Sequence, residues 1–489
     1  MIIRGSIAIV SALALVSSAC EGGKRPPNMP PDALVDPPPD APVGPIPDAP
    51  PAPQRQTVAE VAATPNRDLD LLFVVDDSPS MLDKQQNLKA NFPRFIEALQ
   101  LALGGLPNLH IGVVSTDMGT KASGSATPAP AIGQIGQGGC SGTGKGGALQ
   151  IGTSSITDRY LIDIAQPGGT RLVNYPGMLA DAFGQLANLG AGGCGFEQPL
   201  AAMRAALDNH PANTGFLRAG AMLGVIFLSD EDDCSAKSTT LFDVNGAGPL
   251  GPLQSFRCTR FGVTCAIGGQ TSDAMNQVGA KSGCAPSVGS AHLDDVAPYR
   301  AFLAGLKTDP RRVVVGGILG DVTPFAVELR APPGGGTPLS ALAHSCSYQG
   351  SSNLEVADPA VRLKALLDGF PARSSVATVC QQDLSAGLTS IGGVIRQALA
   401  GSCIDVRLTD TDAGTPGLQP DCLVDDVVGA AATPVPSCAG SPAARPCWRL
   451  SSEPTACAAS PAPNLQLVID RAAAPDPATV TRARCVVAP

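Results

Sequence analysis

The stretch "FVVDDSPSM", residues 73–81, runs an apolar segment straight into two aspartates, two serines and a proline. Asp76, Ser78 and Ser80 follow one another at two-residue spacing, where a buried strand would meet water. Three further apolar runs end the same way. "LDLLFVVD" ends at Asp76, "HIGVVSTD" at Asp117, "LGVIFLSD" at Asp230 and "RVVVGGILGD" at Asp321. Near-continuous Val, Ile and Leu without alternation predicts strands covered on both faces, as in a parallel sheet. Helical periodicity lies between them: over 82–103, Leu88, Phe92, Phe95, Ile96 and Leu99 share a face, with Pro93 marking a kink or restart. "EQPLAAMRAAL" (197–207), "PYRAFLAGL" (298–306) and "LSAGLTSIGGVIRQAL" (384–399) supply more helices. The alternation predicts an α/β fold, a doubly wound and mostly parallel sheet flanked by helices. Such sheets bind ligands at the carboxyl ends of their strands, which puts Asp76, Asp117, Asp230 and Asp321 on one edge.

The chain has 489 residues, a net charge of −9 and four histidines, so there is no basic stripe for nucleic acid. It opens on "MIIRGSIAIVSALALVSSAC", an arginine followed by an apolar stretch of signal-peptide length. The ending "VSSAC" resembles a bacterial lipobox, which implies that Cys20 is lipidated and anchors the exported chain to a membrane, at the outer membrane or cell surface. Of 15 cysteines, 14 remain after Cys20, an even number for disulfides in an oxidising compartment. Residues 21–67, rich in proline, read as a disordered tether. Residues 68–402 form the α/β domain, interrupted by long loops at 118–158, 235–294 and 322–357. Residues 403–489, with six cysteines and short strand-like pieces, read as a small disulfide-bonded β unit.

Carboxylate and hydroxyl oxygens suit a hard cation, Mg²⁺ or Ca²⁺, with Mn²⁺ a further option. With Asp230 arriving from another strand end, two carboxylates and two hydroxyls converge. In this pattern the chain resembles the von Willebrand factor A domain family and its metal-ion-dependent adhesion site. The family motif Asp-x-Ser-x-Ser matches Asp76, Ser78 and Ser80, followed by Met81, and its later acidic residue matches Asp230 in "FLSDE". The resemblance implies a cation held by these four residues and presented to a protein or cell-surface ligand. One element departs: where the family has a threonine, this chain has "GAGGCGFEQPLAAM" (190–203), so either Glu197 is a replacement ligand or that corner of the site is empty. Asp77, Asp117, Glu231 and Asp232 are additional acids near the site. A site crowded with carboxylates would hold Ca²⁺ and repel acidic ligands. Cys194 and Cys234 both fall beside the site and are expected to pair, with other partners among the 14 open.

Other signals fail. "GCSGTGKG" (139–146) misses a phosphate loop because Gly146 stands where Ser or Thr would bind magnesium. The run "DEDD" (230–233) is contiguous, unlike the separated carboxylates of two-metal nucleases. No catalytic residues are assigned. The function expected is an exported, lipid-anchored binding or adhesion protein; the alternatives are a secreted metal-dependent hydrolase and a structural envelope protein whose cation only stabilises the fold.

Overall fold

The computed structural model describes residues 56–62, 67–102, 105–332, 335–400, 404, 406–439, 445–452, 465–473, 475–476 and 479–488. The leader, Cys20 and most of the proline-rich segment lie outside these residues. At the centre is a sheet with principal strands β1 (Asp68–Val75), β2 (Asn108–Ser115), β3 (Tyr160–Ala165), β4 (Arg171–Val173), β5 (Met222–Leu228), β6 (Val313–Leu319) and β7 (Ser374–Thr378). Its order is β7-β6-β5-β1-β2-β3-β4, with the short strand Leu149–Gln150 beside β2. The five strands from β7 to β2 are mutually parallel, whereas β3 runs antiparallel to β2 and β4 antiparallel to β3.

Two cores explain the unbroken apolar runs. On β1, Leu69, Leu71, Phe73 and Val75 face helices α1 (Leu82–Gln100), α2 (Leu179–Leu186) and α6 (Ser385–Ala400). Leu72 and Val74 face the opposite core, built with α3 (Pro199–Leu207), α4 (Val296–Gly305) and α5 (Val361–Asp368). A strand buried on both sides has no solvent face to carry polar residues. Helix α1 continues through Pro93, so no restart occurs there. Phe92 and Phe95 close on Phe73 and Phe183, the Phe92 and Phe183 rings stacking with centroids 3.5 Å apart.

The loops 235–294 and 322–357 are structured. Together they form an antiparallel sheet in the order Leu339–Leu342, Phe325–Arg330, Gly279–Pro286, Val263–Ile267. Cys265–Cys284 staples its outer pair, and Cys234–Cys258 ties its entry to the strand edge. Arg362 in α5, 1 % exposed, pairs with Asp233 at 2.9 Å and donates to the carbonyls of Gly262 and Asp294, riveting the insertion to the domain. A hairpin, Cys346–Gln349 with Leu354–Ala357, is tied by Cys346–Cys380 to the segment after β7.

Toward the C-terminus, strands Cys422–Val428, Ala431–Pro434 and Val480–Val486 form a second four-stranded sheet with Cys422–Cys485 as its staple. Its fourth member is Gln56–Ala62, paired antiparallel with Val480–Val486. The tether expected over 21–67 is therefore corrected at its end: past the proline run, "QTVAEVA" has the residues of a strand and finds an open edge. Trp448 is buried against Val424, Val435 and Leu467, a core residue of this part.

Candidate cation-binding site

The register of the central sheet builds the site. Val75 lies opposite both Ser115 and Leu228, so Asp76, Thr116 and Ser229 leave the sheet at one level. The Asp76 amide donates to the Leu228 carbonyl at 2.9 Å, fixing the exit of the chain. The Asp76 carboxylate then accepts from the Ser78 amide (2.9 Å) and the Ser229 hydroxyl (2.8 Å). A short 3₁₀ turn over Pro79–Met81 leads into α1, placing the Ser78 and Ser80 hydroxyls 3.2 Å apart. Ser80 in turn donates to Asp230 Oδ1 at 3.1 Å. Asp76, Ser78, Ser80 and Asp230, predicted from separate parts of the sequence, are thus brought together.

Sequence reasoning missed the buried cation beside them. Lys84 is 1 % exposed, and its ammonium contacts Asp230 Oδ2 at 3.0 Å, Glu355 Oε2 at 2.8 Å and the Ser80 carbonyl at 3.1 Å. The available signal was its position one helical turn after Ser80, on the same side of α1. Burial opposes the charged amine, but the Asp230 and Glu355 carboxylates outweigh it and raise its pKa. Glu355 comes from the distant hairpin and gave no signal in the sequence. Ser229 and Thr116 directly precede Asp230 and Asp117 at the ends of the apolar runs and carry no separate sequence signal.

The carboxyls are strongly perturbed. Burial, with the neighbouring Asp230 charge, pushes Asp76 up to about 7. Burial also raises Asp230, against the pull of Lys84. Glu197, 1 % exposed, is raised well above the usual range by burial and then by the charges of Glu231 and Asp76. Its Oε1 is buried with no hydrogen-bond partner, as is the Thr116 hydroxyl, whose own carbonyl accepts from the Gln198 amide at 3.0 Å. Glu231 is raised too, by burial and by Asp358 and Asp230.

The other expected acids are otherwise engaged. Asp77 turns away, accepting from Ser115 Oγ at 2.6 Å and pairing with Lys145, the lysine of the failed phosphate-loop pattern. The Gly193 amide donates to the Asp77 carbonyl, and a Cβ at Gly193 would lie 2.3 Å from Asp77 Oδ1, which accounts for a glycine in that loop. Asp117 folds its carboxylate back on the Gly119 amide at 2.8 Å. Asp232 caps α5, accepting from the amides of Arg362 and Leu363, and burial lifts it to about 6. Asp321 leaves the same sheet edge and is exposed. The expected Cys194–Cys234 bridge is corrected: Cys194 pairs with Cys140 and Cys234 with Cys258. The glycine-rich loop 118–158 folds back over the α3 side of the site and brings Cys140 to Cys194, whereas the insertion supplies Cys258. Proximity to one site did not mean proximity to each other.

Among the described residues, no three acidic, histidine or cysteine ligand atoms at this edge come within 4.8 Å of one another. Any cation here would therefore be held by a mixture of carboxylate and hydroxyl oxygens. That donor chemistry fits Mg²⁺ or Ca²⁺, as does the orphaned Glu197 oxygen. Among the described residues, Cys438, Cys447 and Asp470 also lie close, but the two sulfurs are joined to each other and offer no thiolate.

By fold the protein is a mixed α/β protein with a large, mostly parallel central sheet flanked by helices and stapled by disulfides. No protein-family model matches the chain. No curated protein matches it either. Among solved structures, a pilus adhesin from Streptococcus pneumoniae is similar at 10 % identity and a TM-score of 0.20, covering 88 % of this chain. The chain spans 58 % of that adhesin's length.

Proposed function

We infer that this is an exported binding protein of the von Willebrand factor A type, whose strand-edge site holds one divalent cation and presents it to a partner. The observation that carries the reading is the convergence of Asp76, Ser78, Ser80 and Asp230 from two strand ends, with contacts of 2.8–3.2 Å. The strand order, with the Asp76 strand central and an antiparallel edge beyond β2, supports it. Ser78 and Ser80 would be direct ligands, Asp76 and Asp230 ligands directly or through water, and Glu197 the replacement for the family threonine. The bound ion supplies an electrophilic point charge to a partner's oxygen or nitrogen donor.

Each of the four histidines has a local partner. His110 contacts the Phe216 carbonyl, His210 the Ala212 amide, His292 the Thr240 hydroxyl and His344 the Asp358 carboxylate. The six disulfides among the described residues support an extracellular location. Attachment through Cys20 belongs to the same reading, and detergent partitioning of Cys20→Ser tests it: a variant that stays with the membrane fraction removes the lipid. For the cation, electron paramagnetic resonance with Mn²⁺ as probe should show a bound ion whose signal is lost in Ser78→Ala together with Ser80→Ala. A bound signal unchanged by both substitutions would move the ion elsewhere.

A further inference from the structure

Two buried polar atoms at the strand edge have no hydrogen-bond partner among the described residues, the Thr116 hydroxyl and Glu197 Oε1, each on a residue only 1 % exposed. The pleat of the sheet places the hydroxyl. Val75, Val113 and Leu228 belong to the core on the α1 side, whereas Val74, Val114 and Phe227 belong to the core on the α3 side. Side chains alternate along a strand, so Asp76, Thr116 and Ser229, where β1, β2 and β5 leave the sheet, fall on the α3 face. The register sets them side by side: Val75 lies opposite both Ser115 and Leu228, and the Thr116 amide donates to the Val75 carbonyl at 3.2 Å. Asp76 therefore stands between a serine on one flank and a threonine on the other. Ser229 gives its hydroxyl to Asp76 at 2.8 Å, whereas the Thr116 hydroxyl is not used.

The start of α3 closes over the same corner. The Gln198 amide donates to the Thr116 carbonyl at 3.0 Å and the Cys234 amide to the Glu197 carbonyl at 2.8 Å, which holds Glu197 against the end of β2 and the segment after β5. Glu197 also lines, with Ser80, Asp230, Glu231, Asp232 and Asp358, a cleft of about 340 Å³ between the strand edge and the insertion sheet, so the corner adjoins space for an ion. Buried hydroxyls and carboxyl oxygens are ordinarily satisfied. What these two have in common is a lone pair that a hard cation accepts. We propose that Thr116 is a ligand of the cation, its hydroxyl filling, beside Glu197, the coordination corner on the α3 side. The inference rests on the cation reading above and names a ligand that lies outside the Asp-x-Ser-x-Ser motif. Ser78, Ser80 and Thr116 then bring three hydroxyl oxygens to the ion without adding negative charge to a site already rich in carboxyls.

The test compares the purified chain with Thr116→Val and Thr116→Ala, which remove the hydroxyl with and without keeping the side chain's volume, and with Thr116→Ser, which retains it. Calorimetry reads Mg²⁺ affinity, and the luminescence lifetime of a bound Tb³⁺ probe in H₂O against D₂O reads the number of waters on the ion. The variants without the hydroxyl should bind Mg²⁺ at least about tenfold more weakly and carry about one more water on Tb³⁺. Thr116→Ser should match the parent in both. Parental affinity or an unchanged water count in the variants without the hydroxyl would overturn this inference and leave the cation reading standing. A loss shared equally by Thr116→Ser would overturn it too, since the effect would then come from the methyl group. A parent chain that binds neither Mg²⁺ nor Tb³⁺ overturns the cation reading itself, and this inference with it.

Discussion

Lys84 is the residue on which the resting state of the site turns. It places one positive charge, on a side chain only 1 % exposed, between Asp230 and Glu355. Removing one partner of a buried pair leaves an uncompensated charge and costs about 3–5 kcal/mol. Lys84→Met should therefore be destabilised by roughly that amount in chelator, and recover part of the loss in Mg²⁺ or Ca²⁺, which replaces the missing charge. Urea unfolding with and without the ion checks this; a variant as stable as the parent in chelator would show that Lys84 is incidental. The carboxyls make a second prediction. Asp76 titrates at about 7 in the folded chain, and Asp230, Glu197, Glu231 and Asp232 are shifted the same way. A carboxyl whose folded pKa is raised holds its proton in the folded state after the unfolded state has lost it. For Asp76 the stabilising contribution is complete below about 4 and is lost as pH rises to about 7, at roughly 1.4 kcal/mol per pH unit, and the other raised carboxyls act in the same direction. In chelator, melting temperature should fall from pH 5 to pH 7.5, and a divalent ion should flatten the decline. A melting temperature that rises over that range in chelator would contradict the assignment.

At the scale of elements, the hairpin Cys346–Gln349/Leu354–Ala357 delivers Glu355 to the site and is held on α1 by one aspartate. Asp83 accepts from Tyr348 Oη at 2.7 Å, the Ser351 amide at 3.0 Å and the Ser351 hydroxyl at 2.7 Å. Asp83→Ala should raise amide hydrogen exchange over 346–357 by an order of magnitude or more, at about 1.4 kcal/mol per tenfold, while β1, β2 and β5 stay protected. Exchange unchanged in the hairpin would mean that Cys346–Cys380 alone positions it. These elements also show what sequence can and cannot reveal. β1, β2, β5 and β6 were legible because both faces are buried and the apolar run is continuous. β3 alternates in burial and β7 is "SSVAT", an edge strand with little apolar content. The insertion strand "GAKSGCAP" leaves most of its residues exposed or half-buried, so its identity comes from pairing with Phe325–Arg330 some forty residues on. Periodicity within a window has no access to such pairing.

For the whole molecule, the site is the place where chain order and spatial order differ most. Asp76, Ser78 and Ser80 were legible because their spacing on one turn is local, and Asp230 because it ends a readable strand. Lys84, Glu355 and the Cys140–Cys194 and Cys234–Cys258 pairs were not, since each depends on loops that close only in three dimensions. The same closure gathers five carboxyl groups around one cleft in a chain of net charge −9, of which Asp230 alone is paired with the buried amine of Lys84. That imbalance is what a divalent cation would correct. Calorimetric titration of Mg²⁺ and Ca²⁺ into the purified chain and into Asp76→Ala, both shown folded by circular dichroism, addresses it most directly. The account predicts one equivalent bound by the parent and an affinity at least about tenfold weaker in the variant, in keeping with loss of a carboxylate ligand. A parent chain that binds neither ion, or a variant that binds as tightly as the parent, would contradict it.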